Sequence, residues 1–186
     1  MQLHIANILT LGRLALVPVF LTAFLYRWYH VAFIVFALAA MTDLVDGTVA
    51  RWQKKRSQLG AFLDPLADKC LMITTFACLV SVRSLPAWFL GLVIARDVMI
   101  MGGIGLLKVM KIKVAYEPFL LSKFATLAQI LLGVLSLGVL WSPTFSLGVY
   151  PLTDFAEGVV YVTALLVIIT GLQYIKKGME ILQARD

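Results

Sequence analysis

Four aspartates carry the chemistry this chain can do. Asp43, Asp46, Asp64 and Asp68 are four of only ten acidic residues. They lie inside otherwise apolar segments, where an ionised carboxylate is costly and marks a functional position. Asp43 and Asp46 are i, i+3 near the end of one apolar segment. Asp64 and Asp68 are i, i+4 near the start of the next, so on helices each pair shares one face. With the intervening turn centred near residues 55 and 56, an antiparallel hairpin sets position 43 opposite 68 and 46 opposite 64 or 65. Asp43 then lies about 12 Å inside the helix end at Arg51. Four carboxylates converging at that depth raise one another's pKa unless cations neutralise them. All-oxygen ligands select Mg²⁺, Mn²⁺ or Ca²⁺ over zinc or copper. Two such ions also bind a diphosphate and stabilise its displacement. Helix capping accounts for a single Asp near a membrane surface, but not for four at this spacing.

These residues need apolar helices to position them, and the composition supplies them. The chain has 186 residues, 61% hydrophobic and 14% charged, with mean hydropathy +0.94. A soluble domain carries about a quarter charged residues. The expected architecture is therefore an all-α integral membrane protein, one domain over residues 1–186, with six transmembrane helices. The expected spans are 8–26, 31–51, 61–82, 86–107, 122–141 and 156–174, the last followed by a basic tail. An amphipathic lead-in precedes them, and an outer loop with two prolines spans 142–155. Pro18 falls mid-span in the first helix, where a kink is expected. Six spans put both termini on one side. Arg13, Arg51, Lys54, Lys55, Arg56, Lys108, Lys111, Lys113, Lys123, Lys176, Lys177 and Arg185 fall on that side, against Arg27 and Arg83 on the other. That asymmetry makes the termini and the Asp cluster cytoplasmic. The net charge of +6 reports topology and contact with anionic lipid, not nucleic-acid binding. Cys70 and Cys78 are about 12 Å apart along one helix, too far for a disulfide. The first apolar segment is too long for a cleavable signal and lacks a small-residue cleavage site.

The remaining polar residues divide into candidates and ordinary membrane furniture. Arg13 either snorkels to the headgroups or faces the acidic site. Arg96 and Asp97 sit mid-span. Adjacent side chains diverge on a helix, so the two are expected to have different partners. His30 belongs to an interfacial aromatic turn with Trp28 and Tyr29. Thr126 and Gln129, at helical spacing, are expected to make interhelical hydrogen bonds. Two readings of another class compete with an enzyme: a divalent-cation carrier and a non-catalytic membrane scaffold. Carriers commonly show internal repeats and broken helices. Neither is found here, and the intact Asp set argues against a scaffold.

The pattern Asp43-x2-Asp46-Gly47-x2-Ala50-Arg51-x8-Gly60-x3-Asp64-x3-Asp68 resembles the signature of the CDP-alcohol phosphatidyltransferases at every fixed position. Eight fixed residues make a chance match of order 10⁻¹⁰ per position. The resemblance implies enzymes of phospholipid biosynthesis that act on CDP-diacylglycerol and release CMP. It implies a homodimer in a bacterial inner membrane, with two Mg²⁺ or Mn²⁺ ions at a cytoplasm-facing site. Carried over by position, Asp43, Asp46 and Asp64 are metal ligands. Asp68 lies by the second metal and is the general base. Asp43, Gly47, Ala50, Arg51 and Gly60 hold the cytidine diphosphate.

The acceptor alcohol is not named by this signature. Chain size and the Asn7-x2-Thr10-x2-Arg13 pattern resemble family members that use glycerol 3-phosphate. Arg96-Asp97 and Ser122-Lys123 resemble members that use phosphatidylglycerol, because glycerol 3-phosphate users often have Arg-Glu and Gly-Lys there. Lys123, Arg96, Lys113 and Arg13 are the basic residues available for an anionic acceptor.

Overall fold

Long apolar runs broken by short polar turns fold here as helices, since a bilayer leaves the backbone no hydrogen-bond partner except itself. The structure is a computed structural model that describes the backbone of residues 5–49, 58–110, 120–142, 144, 146–147 and 150–183. Side chains are described for 12–42, 69–107, 110, 120–142, 144, 152–181 and 183. The described elements are α1 (Ile5–Leu25), α2 (Tyr29–Val49), α3 (Gln58–Ser81), α4 (Ala87–Val109), α5 (Leu120–Trp141), strands β1 (Ser146–Leu147) and β2 (Tyr150–Pro151), and α6 (Leu152–Gln183). Among the described residues, three stretches are long and apolar enough to cross a membrane: Ala87–Leu107, Leu120–Trp141 and Leu152–Ile181. Shorter apolar stretches, Gly12–Leu25, Tyr29–Thr42 and Lys69–Ser81, lie in α1, α2 and α3. Leu25, Leu106, Leu120, Phe124, Leu165 and Leu172 are all exposed. Apolar exposure on this scale is that of a surface facing lipid. The protein is an all-helical membrane protein.

The chain forms two compact units. The first comprises residues 1–85 and 133–153, the second 86–132 and 154–186. In the first, α1 packs against both α2 and α3. Its core is aromatic: Phe20, Phe36 and Phe76 are fully buried, and the Phe20 ring lies 6.0 Å from Phe24 and 6.4 Å from Phe36. The second half of α5 belongs to this unit and meets the core at Gly133. A Cβ there would sit 2.7 Å from Cζ and 2.8 Å from Cε1 of Phe36. In the second unit, α4 meets α6 through the Trp88–Tyr161 ring pair at 6.3 Å. It meets α5 through Arg96 and Ser122.

Helix α1 runs on through Pro18. It and α3 end in the same way. The Arg27 and Arg83 amides donate to Phe24 and Val80, and the Trp28 and Ser84 amides to Ala23 and Leu79, at 2.9–3.0 Å. This paired 6→1 and 5→2 bonding is the Schellman cap, which requires a left-handed residue just past the helix end. Glycine normally fills that place, yet here both are arginines, each at φ 59°.

Two stretches differ from the sequence expectation. The basic tail is helical, because α6 continues to Gln183. Its Lys-Lys-Gly-Met-Glu-Ile-Leu sequence is rich in helix formers. Lys177 and Glu180 pair at 3.4 Å in i, i+3 spacing on its exposed face. The loop expected over 142–155 is shorter, since an antiparallel hairpin of two-residue strands pairs Ser146 with Pro151 and Leu147 with Tyr150, and α6 begins directly after it. Cys70 and Cys78 are free thiols on α3, as their spacing requires.

Candidate active site

The aspartates fall on helix ends. Asp43, Asp46 and Gly47 occupy about the last two turns of α2, and Gly60, Asp64 and Asp68 about the first three turns of α3. Helical backbone keeps each Asp pair on one face. Both helices flank α1, which is therefore the common support of the signature. The side chains of these residues lie outside the described set, as do Ala50, Arg51 and Lys113 altogether. Convergence of the four carboxylates and the contacts of Arg51 fall outside it for the same reason. Among the described residues, no group of three His, Cys, Asp or Glu is placed to hold a metal ion.

Arg13 lies on α1, which joins α2 through a three-residue turn centred near Arg27. Counting back equally from that turn sets Arg13 level with Met41, within about one helical turn of Asp43. Its side chain is 5% exposed and engaged within the fold. That burial is not the placement of a side chain snorkelling along lipid to the headgroups. His30 is exposed at the start of α2, consistent with an interfacial role.

The second unit holds a buried polar cluster. Nη1 of Arg96 donates to Oδ1 of Asp97 at 2.8 Å, and Nη2 to Oγ of Ser122 at 2.6 Å. Arg96 is 5% and Asp97 6% exposed. The expectation that adjacent residues take different partners is corrected here. The Cα–Cβ bonds do diverge, but the arginine side chain is long enough to fold back onto its neighbour. In an apolar interior, pairing the charge outweighs the rotamer cost. The two stretches that set this chain apart in sequence, Arg96-Asp97 and Ser122-Lys123, are thus one physical unit. Lys123 follows Ser122 in the first turn of α5 and is exposed.

Sequence reasoning placed Thr126 and Gln129 in interhelical hydrogen bonds. The structure gives neither among the described residues. The Thr126 hydroxyl donates to its own helix, to the Ser122 carbonyl at 3.1 Å. Gln129 is 2% exposed and its Nε2 has no hydrogen-bond partner.

The profile of the CDP-alcohol phosphatidyltransferases matches residues 3–172. The chain belongs to that family. Among its relatives is a Bacillus subtilis protein named CDP-diacylglycerol–glycerol-3-phosphate 3-phosphatidyltransferase. It is 32% identical over 198 residues, covering 98% of this chain and 99% of the relative. A Mycobacterium tuberculosis protein named probable phosphatidylglycerophosphate synthase is 33% identical over 184 residues, covering 95% and 82%. The human cardiolipin synthase (CMP-forming) is 40% identical over 101 residues, which cover 54% of this chain and 34% of that protein. The CDP-alcohol phosphatidyltransferase match spans five of the helices fully and most of α6. The signature between Asp43 and Asp68 is therefore that of an enzyme of phospholipid synthesis, and the carrier and scaffold readings fall away.

Proposed function

We propose that the protein transfers the phosphatidyl group of CDP-diacylglycerol to glycerol 3-phosphate, giving phosphatidylglycerophosphate and CMP. The observation that carries this reading is the match to the Bacillus subtilis enzyme over essentially the whole of both chains. The chain length and the Asn7-x2-Thr10-x2-Arg13 pattern agree with it.

Four carboxylates on two neighbouring helix ends are a hard, all-oxygen donor set suited to Mg²⁺ or Mn²⁺. Asp43, Asp46, Asp64 and Asp68 would hold two such ions, which would neutralise the diphosphate and the departing CMP. Gly47, Gly60 and Ala50 leave room for the nucleotide to approach the backbone, and Arg51 compensates phosphate charge. Asp68 accepts the proton of the acceptor hydroxyl. The hydroxyl oxygen attacks the phosphorus bonded to diacylglycerol, the bond from that phosphorus to the CMP oxygen breaks, and CMP leaves with the bonding pair. Positioning and preorganised charge supply most of the acceleration. Lys123, Arg13 and Lys113 are the cations offered to the acceptor phosphate, with Arg96 beside the first turn of α5. In this reading the chain is one catalytic domain that crosses the membrane six times. Both termini and the site face the cytoplasm, where a soluble acceptor meets an inner-leaflet lipid. The enzyme works as a homodimer in a bacterial inner membrane.

A second reading takes phosphatidylglycerol as acceptor and cardiolipin as product. The Asp97–Arg96–Ser122 cluster favours it, because it joins the two stretches that depart from glycerol 3-phosphate users. An acceptor screen separates the readings. Purified protein in detergent with CDP-diacylglycerol and Mg²⁺ or Mn²⁺ receives glycerol 3-phosphate or phosphatidylglycerol, and CMP and lipid products are read by mass. Phosphatidylglycerophosphate supports the first reading and cardiolipin the second. Asp68→Asn is expected to lower turnover by at least about 10²-fold while CDP-diacylglycerol still binds. Nucleotide binding lost in step with rate would remove Asp68 from the role of base.

A further inference from the structure

Among the described residues, Arg13 is the one charged side chain buried in the first unit. An arginine is seldom fully buried without a carboxylate partner. In sequence, the acidic residues of that unit are Asp43, Asp46, Asp64 and Asp68 and no others. Arg13 is engaged within the fold, and α1 packs against the two helices that carry those aspartates.

Helical register leads to the same core. On α1, Arg13 shares a buried stripe with Phe20 and Phe24 at i, i+7, i+11 spacing. On α2 the buried stripe is Ala32, Phe36 and Ala39, and the same alternation of four and three residues continues it to Asp43 and Asp46. On α3 the buried Leu71, Thr75 and Cys78 run back by that alternation to Asp68 and Asp64. Phe20 and Phe36 meet at 6.4 Å, so the α1 and α2 stripes face each other. Arg13 therefore stands on the inward face of α1, within about one helical turn of the depth of Asp43.

We propose that Arg13 is a positioning residue of the aspartate site: its guanidinium hydrogen-bonds signature carboxylates and orients them for the divalent ions. This rests on the metal-binding reading above and is a role separate from the acceptor contact offered there. A carboxylate has two oxygens, so one can face an ion while the other accepts from the guanidinium. The rigid fork of arginine fixes the plane of the carboxylate it holds. Its charge opposes the ions, but without it the carboxylates repel one another and turn apart. Loss of such a hydrogen-bond partner commonly weakens metal binding 10- to 100-fold.

The test titrates Mn²⁺ into purified full-length protein in detergent, with neither CDP-diacylglycerol nor acceptor present, and reads free Mn²⁺ by electron paramagnetic resonance. Arg13→Met is expected to bind Mn²⁺ about 10- to 100-fold more weakly than wild type. Arg13→Lys keeps the charge and loses the fork, so its affinity should fall between the two. Should Arg13→Met fail to fold, Arg13→Lys alone decides. A lysine variant that matches wild type assigns any effect to charge alone and overturns the orienting role. So does unchanged or tighter Mn²⁺ binding in Arg13→Met. A KM for glycerol 3-phosphate that rises while Mn²⁺ binding stays unchanged would leave Arg13 to the acceptor only, and also overturns it. Failure of the underlying reading is distinct: the wild type itself would then bind no Mn²⁺, and the proposal would fall with it.

Discussion

The buried pair in α4 yields a prediction whose sign is set by the surroundings. Arg96 and Asp97 are 6% and 7% exposed in their side chains and meet at 2.8 Å. With so little solvent contact there is little dielectric screening to discount. Asp97→Leu would leave the Arg96 guanidinium buried with part of its compensation gone, and Arg96→Met would do the same to the carboxylate. Breaking a buried pair by removing one partner costs about 3–5 kcal/mol, whereas exchanging both for apolar residues is commonly near neutral. The double variant should therefore be more stable than either single variant. The coupling free energy of the cycle should be about 3 kcal/mol or more, about a hundredfold in the folding equilibrium. Ser122→Ala removes the acceptor of the 2.6 Å bond from Nη2 and should cost about 1–3 kcal/mol. That loss should vanish in the Arg96→Met background. The assay is reversible unfolding of the purified protein in mixed micelles, followed by helical circular dichroism, for the four members of the cycle. Single variants within about 0.5 kcal/mol of wild type, or a double variant that simply sums the singles, would refute the reasoning and mean that water reaches the pair.

Gly133→Ala should destabilise the protein by about 1–3 kcal/mol. The added carbon meets Phe36 at 2.7 Å, and Phe36 cannot retreat because it is 1% exposed and packs on Phe20. The same micelle titration reads it, and an unchanged midpoint would count against that contact. Arg27→Gly and Arg83→Gly should each stabilise. The left-handed cap costs a non-glycine residue about 1–2 kcal/mol, offset in part by glycine's extra backbone entropy of about 0.4–1 kcal/mol. Thermal midpoints should rise for both, and a fall would show that these guanidiniums hold something worth more than the strain.

The helices were legible because their cause is local. A run of apolar residues as long as 122–141 has one satisfactory backbone state in lipid, and the helical ends Leu120 and Trp141 fall within two residues of that span. The Asp signature was legible for a different reason: charge is so unfavourable in such helices that its presence is already information. What stayed hidden depends on side-chain reach and tertiary neighbours. Spacing rules treat residues 96 and 97 as diverging, since they follow the Cα–Cβ vectors. They do not see that a guanidinium can turn back to its neighbour and span to residue 122. The α6 extension was lost because Lys176 and Lys177 read as the end of a membrane span, although leaving the membrane does not end a helix. The arginine caps were lost because the sequence signal for a Schellman motif is glycine. The hydrogen bonds that define the motif involve only the backbone.

The acceptor question turns on the same distinction between local and tertiary information. In sequence, Arg96-Asp97 and Ser122-Lys123 are two separate departures, each weak. In the structure a single guanidinium ties them together, so they are not independent: Asp97 holds Nη1 while Ser122 takes Nη2. A glycine at position 122 would have no oxygen to offer. The arginine would then be free to turn its second nitrogen toward a ligand phosphate instead of toward α5. Under the proposed function, with Arg96 offered to the acceptor, acceptor choice is coupled to how many of its donors the protein consumes itself. A small doubly charged acceptor gains from a guanidinium with donors to spare. A larger, singly charged lipid acceptor can be held by fewer charged contacts and more neutral ones. Ser122→Gly is the substitution that tests this coupling, because it releases Nη2 without altering the aspartates of the signature: the proposed role for Arg96 expects a change in the preference between glycerol 3-phosphate and phosphatidylglycerol, and an unchanged preference would refute it.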